Sequence, residues 1–217
     1  MVYALKSWPG EHRSKSFEIY HNGFLICLSF SILCATIMSA YWRASEEGFV
    51  GGLLCSKRSA EQLWDGPLGA TVYVFYLSKY YDYIDTFILA ARKKPTIPLH
   101  LWHHAVMPGL CWAFFAYPWL DGAWWCAFVN SFIHTLMYTN YLLKSLGYSV
   151  WWAKYLTVAQ IVQFITGTIY SGAFLWMVYQ GYGCTGNVWT CMTANAINVS
   201  FIALFVQFYK KKYNKKE

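Results

Sequence analysis

Charge is what this sequence has least of. Asp, Glu, Lys and Arg make up 12% of its 217 residues and apolar side chains 57%, whereas soluble domains carry about twice that charged fraction. An ordinary water-soluble domain is therefore excluded. Acidic residues are scarcer than basic ones, 10 against 17, leaving a net charge of +7. That surplus does not signal nucleic acid, because the basic residues cluster between apolar runs instead of interleaving along one face. A secretory signal peptide is also lacking: Met1–Ser16 has neither an apolar core nor a small-residue cleavage site. The first apolar run, from near Asn22, can itself serve as an uncleaved signal-anchor. No internal repeat or low-complexity tract occurs.

What the sequence has in abundance is long apolar runs and aromatic residues, the latter 21% of the chain. Many of these are Trp and Tyr, which favour the headgroup level of a bilayer. Six runs cover about 22–42, 68–91, 98–118, 123–143, 157–178 and 190–209. Each approaches the ~20 residues that cross a bilayer as a helix, and each is too long and too apolar for a strand. The expected fold class is an all-α integral membrane protein, a bundle of six transmembrane helices forming one domain over residues 1–217. Lys and Arg set its expected orientation. With the tail residues Lys210, Lys211, Lys212, Lys215 and Lys216 in the cytoplasm, Lys144, Lys154, Arg92, Lys93, Lys94, Arg13, Lys15 and Lys6 fall on the same side. Those are 13 of the 17 basic residues. Arg43, Lys57 and Arg58 fall on the far side, and Lys79 lies within a span.

Of seven cysteines, Cys27, Cys34, Cys111 and Cys126 fall within spans, where Cys acts as a small packing residue. Cys55 and Cys184 fall in far-side loops, which face an oxidising lumen in a secretory-pathway membrane. A Cys55–Cys184 disulfide is expected, with Cys191 the competing partner.

The few polar residues inside the spans carry the functional information, since a bundle tolerates ionisable groups only facing its interior or a cavity. The second span holds Lys79, Asp82 and Asp85. Lys79 and Asp82, three residues apart, share a face and can pair. An apolar packing would serve stability alone more cheaply, so the pair points to function. The third span opens with Pro98 in a first-turn position, followed by His100, His103 and His104 on one face. Pro108 cannot donate to the His104 carbonyl, so a kink is expected there. The fourth span carries Asn130, His134, Met137, Tyr138 and Tyr141 as one continuous stripe. Taken singly, Asn130 and the tyrosines are ordinary interhelical glue; His134 is a fourth imidazole at similar depth. Thr157, Gln160 and Gln163 follow on the fifth span.

Four neighbouring imidazoles suit either metal binding or nucleophilic and acid–base catalysis. The chain has only six histidines, and His12 and His21 precede the first run. Membrane di-iron desaturases and hydroxylases use more histidine ligands than that, and only Asp82 and Asp85 are at hand within spans as substitutes. Metal-free nucleophilic catalysis is the more economical reading. The alternatives are the di-iron enzyme and, from another class, a proton-coupled transporter using Lys79, Asp82 and the histidines.

Four motifs together resemble the ELO family of very-long-chain fatty acid elongases. They are Lys79-Tyr-Tyr-Asp82-Tyr-Ile-Asp85-Thr86, His100-Leu-Trp-His103-His104, His134-Thr-Leu-Met137-Tyr138-Thr-Asn140-Tyr141 and Thr157-Val-Ala-Gln160-Ile-Val-Gln163. Order and spacing match on successive spans. Asp82 stands where the family usually has Glu, and Asn140 where it has Tyr. The family resembles a seven-span protein, and its first span has no counterpart among the six runs here.

The resemblance implies condensation of a long-chain acyl-CoA with malonyl-CoA, giving 3-oxoacyl-CoA, CoA and carbon dioxide, with no cofactor beyond these substrates. It implies catalytic roles for His103, His134, His100 and His104, with His103 as the expected nucleophile. Lys79, Asp82, Asp85, Asn130, Met137, Tyr138, Tyr141, Gln160 and Gln163 are expected to line the substrate site. Arg92 and Lys93, with Lys94, Lys144 and Lys154, are expected to receive the polyanionic CoA at a cytosolic entrance. It further implies an endoplasmic reticulum membrane, a homo-oligomer, and other enzymes of the elongation cycle as partners. The Lys-rich tail resembles a retrieval signal only imperfectly, and the sequon at Asn198 is expected to be unused inside the last span.

Overall fold

The computed structural model describes residues 14–59 and 61–213. Helix α1 (Lys15–Phe49) begins where the Ser14 hydroxyl accepts the Phe17 N–H at 3.3 Å, satisfying one of the orphan donors of the first turn. It runs into a π turn over Val50–Leu54. The helix therefore extends beyond the apolar run 22–42 at both ends and draws Glu18 and His21 into the bundle.

Helix α2 (Pro67–Tyr81) starts on a first-turn proline, where the missing N–H costs nothing, and α3 (Tyr83–Ala91) follows at once. The expected single span 68–91 is thus two helices. At Asp82 the ladder tightens, because the Asp85 N–H bonds the Asp82 carbonyl at 3.1 Å instead of reaching four residues back. Helix α4 (Pro98–Ala116) continues through Pro108 as one helix. Helix α5 (Leu120–Leu146) stops at Gly147, whose φ of 99° lets its N–H and that of Tyr148 turn back onto the last carbonyls. Helices α6 (Ala153–Tyr179) and α7 (Val188–Tyr213) complete the chain.

Neighbouring helices close a ring in the order α1, α2, α4, α7, α6, α5 and back to α1. The polar stripes of α2 to α5 face its interior. Exposed apolar residues such as Tyr20, Met38, Trp42 and Ile169 cover the outside, as lipid contact requires. The stretches Lys15–Leu54, Ala153–Tyr179 and Val188–Tyr213 are each long and apolar enough to cross a membrane on their own composition. In α4 and α5 the histidines, asparagines and tryptophans dilute the apolar character, and these are the helices that furnish most of the site. No strand occurs among the described residues.

The end of the bundle opposite Arg92 is tied by a Cys55–Cys184 disulfide, Cα atoms 4.7 Å apart. Cys191 stays a buried thiol directed at the Ser171 carbonyl. Cys27, expected to pack, is exposed on the outer face. Buried Arg43 donates to the Leu63 carbonyl at 3.1 Å, and the Ser56 N–H donates to Asp121 at 3.2 Å. His12, Arg13, Lys6 and the tail residues Lys215 and Lys216 lie outside the described residues.

Candidate active site

A cavity of about 580 Å³ fills the half of the ring bounded by α1, α3, α4, α5, α6 and α7. His100, His103 and His104 enter it from α4, because positions three and four apart share one helix face. His134 enters from α5, on the stripe that also brings Asn130, Met137, Tyr138 and Tyr141 to the cavity wall. The ring centres of His103 and His134 are 6.2 Å apart, and those of His100 and His104 are 4.1 Å apart. Thr86 Oγ1 and His100 Nε2 lie 2.9 Å apart, which anchors the outermost imidazole.

The motif acids are held separately. The Lys79 ammonium donates to Asp82 Oδ2 at 3.1 Å and to Asn130 Oδ1 at 3.0 Å, and lies over the Phe75 ring. All three polar partners are buried, so the pair is removed from water with its geometry satisfied. Asp82 Oδ2 also lies 4.0 Å from His134 Nδ1. Asp85 is bound differently: its Oδ2 accepts the Tyr138 hydroxyl at 2.6 Å and its Oδ1 lies 2.8 Å from His21 Nε2.

Gln160 and Gln163 reach the cavity from α6, Gln160 with its amide 3.9 Å from Met137 Sδ. Gln163 Oε1 and Asn140 Oδ1 are buried without a hydrogen-bond partner among the described residues. At the mouth stand Arg92, Lys94 and Lys144. Lys93 is absent from the wall; its φ of 53° belongs to a turn that presents Lys94 instead. Arg92 pairs with Glu18 at 3.2 Å. Lys154 lies over the Tyr209 ring. Partial burial, and then the nearby Lys212 ammonium, lower the pKa of Lys144 from its ordinary value. Glu18 and Asn22, on the early turns of α1, also line the cavity, although no sequence motif includes them; His21 beside them lies behind the wall against Asp85.

A second, narrower cavity of about 50 Å³ continues past His103, Asn130, Gln163 and Phe164, which line both spaces. Its wall is mostly apolar and aromatic, and it ends against Trp119 and Gly122 at the disulfide end. The arrangement offers cations at an open mouth, imidazoles midway, and an apolar pocket beyond. Among the described residues no three of His, Cys, Asp and Glu are grouped to hold a metal ion.

The family model described as ELO: GNS1/SUR4 family matches residues 5–217. Fatty acid elongase sre1 of Dictyostelium discoideum is 44% identical over 199 residues, covering 92% of this chain and 73% of that protein. Fatty acid elongase A of the same organism is 32% identical over 226 residues, covering 100% of this chain and 80% of its own length. Very long chain fatty acid elongase 5 of Homo sapiens is 28% identical over 232 residues, covering 100% of this chain and 73% of that protein.

Proposed function

The chain belongs to the ELO (GNS1/SUR4) family, and on that footing we propose that it is the condensing enzyme of fatty acid elongation, a very-long-chain 3-oxoacyl-CoA synthase acting through an acyl-imidazole on His103. The observation that carries this reading is the place of His103 in both cavities. An acyl thioester carbonyl at this imidazole can direct the first carbons of its hydrocarbon tail toward the narrow apolar space, a constriction of about 50 Å³ that the rest of a long chain must widen. Its CoA then lies toward Arg92, Lys94 and Lys144, whose charges complement phosphate.

A nitrogen of His103 attacks the thioester carbonyl, the C–S bond breaks, and CoA leaves as the thiol with the proton that the imidazole releases. Malonyl-CoA then loses carbon dioxide, and its enolate carbon attacks the acyl-imidazole. The C–N bond breaks, one proton returns to the imidazole, and 3-oxoacyl-CoA is formed. Dividing the condensation in this way replaces one difficult step with two easier ones. His134, facing His103 across the cavity, is suited to the reacting carbonyl or malonyl group. His100 and His104 are suited to orienting and to stabilising developing negative charge.

We place the protein in the endoplasmic reticulum membrane with the histidine entrance toward the cytosol, in keeping with the basic residues around the mouth. No cofactor is needed beyond the two CoA thioesters. A homo-oligomer and the other enzymes of the elongation cycle are the partners we propose. Purified protein given labelled malonyl-CoA and a panel of acyl-CoAs should yield 3-oxoacyl-CoA and carbon dioxide in equal amounts. Absence of such products from every acyl-CoA would overturn the proposal; stoichiometric iron with oxygen-dependent products would point to a desaturase or hydroxylase.

A further inference from the structure

His21 lies outside all four motifs, 64 residues before its partner Asp85, and does not line the reaction cavity. It is 3% exposed. Its ring stacks between Phe17 at 6.1 Å and Tyr81 at 5.6 Å, with Nε2 directed at Asp85 Oδ1. A carboxylate inside a bundle is costly unless its oxygens are bonded. Lys79 is engaged by Asp82 and Asn130, so Asp85 draws on two other donors, the Tyr138 hydroxyl and His21. The Nδ1 atom of His21 is buried without a hydrogen-bond partner among the described residues. With a proton on Nε2 the ring donates to Asp85.

The consequence reaches the catalytic imidazoles. With one Asp85 oxygen held by His21, the other is fixed to receive the Tyr138 hydroxyl. The Tyr138 ring, fully buried, meets His134 edge-on at 5.5 Å, and His134 faces His103. We propose that His21 is a positioning residue of the acyl-transfer site, fixing Asp85 and thereby Tyr138 and the His134 imidazole opposite His103.

The inference rests on the elongase reading, and two substitutions separate it from simple packing. His21→Phe keeps the aromatic stack and removes the donor. His21→Gln removes the stack and keeps an N–H that can reach the carboxylate. Positioning predicts that His21→Phe lowers kcat about 10- to 100-fold with each substrate's KM within about twofold, since small misplacements in a reacting pair cost rates of that order. It predicts that His21→Gln stays within a few-fold of the parent protein. In the His21→Phe/Asp85→Asn double variant, the loss should be no greater than the larger single loss, as groups acting in one chain are not additive.

Activity equal or greater in His21→Phe than in His21→Gln would overturn the inference, as would a rise confined to KM. Unfolding midpoints in detergent identify any variant that does not fold. If His21→Phe fails to fold, His21→Leu takes its place: a kcat loss that His21→Gln restores supports positioning, and near-parental kcat in His21→Leu refutes it. A parent protein that forms no 3-oxoacyl-CoA refutes the elongase reading instead.

Discussion

Trp119 closes the far end of the narrow cavity, and the structure allows it almost no retreat. It is 1% exposed. A Cβ placed on Gly122 would lie 2.4 Å from two atoms of the indole ring, against the 3.4 Å at which ordinary contact begins. Gly122→Ala must therefore displace the ring by about 1 Å, the difference between those two distances. On its other side the ring abuts Gly186, where a Cβ would lie 2.5 Å from Trp119 Cδ1, and Phe174 stands 5.3 Å away, centre to centre. The loop carrying Gly186 is pinned by hydrogen bonds of 2.8 Å from Thr185 to Ser56 and from Asn187 to Pro118. With these neighbours fixed, a displaced ring intrudes on the narrow cavity that it lines. Each acyl methylene that no longer fits costs about 1–3 kcal/mol, or about 10–200-fold in kcat/KM. We expect Gly122→Ala to shorten the longest acyl-CoA accepted and to leave shorter ones unaffected. Trp119→Leu should do the reverse. The assay is kcat/KM over an acyl-CoA series of increasing length. An unchanged length profile in both variants would refute the route assigned to the acyl chain.

Lys79→Met leaves the Asp82 carboxylate buried and unpaired, and should cost about 3–5 kcal/mol in unfolding experiments in micelles; adding Asp82→Asn should recover much of that loss. Cys55→Ser opens a loop closed over a sequence separation of 129 and should cost about 2–5 kcal/mol of stability, read as a lowered denaturant midpoint. Arg92→Ala should raise the KM for acyl-CoA more than it lowers kcat, and should flatten the dependence of KM on salt, because the lost interaction is one between charges.

The helical class and the site were legible for a shared reason: the bilayer penalises charge so strongly that each retained polar residue is informative. The spacing of His100, His103 and His104 and the stripe from Asn130 to Tyr141 report a helix face directly, and that face lines the cavity. The Cys55–Cys184 pairing followed from which loops share a side. Asp82 was harder, since hydropathy is continuous through it; the break lies in a tightened hydrogen bond that no apolar count records. His21 was set aside because it precedes the apolar run, yet Ser14 caps α1 early enough to carry it inside. Its partner lies on another helix, and no periodicity links residues so far apart. Lys93 and Lys94 look equivalent in sequence; a left-handed turn at Lys93 distinguishes them. Asn140, where the family has Tyr, is buried with its carbonyl oxygen unmet among the described residues, and nothing in the structure explains that exchange.

A trapping measurement tests the covalent step on His103. Purified protein is incubated with labelled acyl-CoA in the absence of malonyl-CoA, quenched, and examined by intact and peptide mass. An acyl-imidazole on His103 requires one acyl group per chain on the peptide carrying His103, released as 3-oxoacyl-CoA when malonyl-CoA is added, and no such adduct in His103→Ala. An adduct on another residue, or full turnover by His103→Ala, would contradict it.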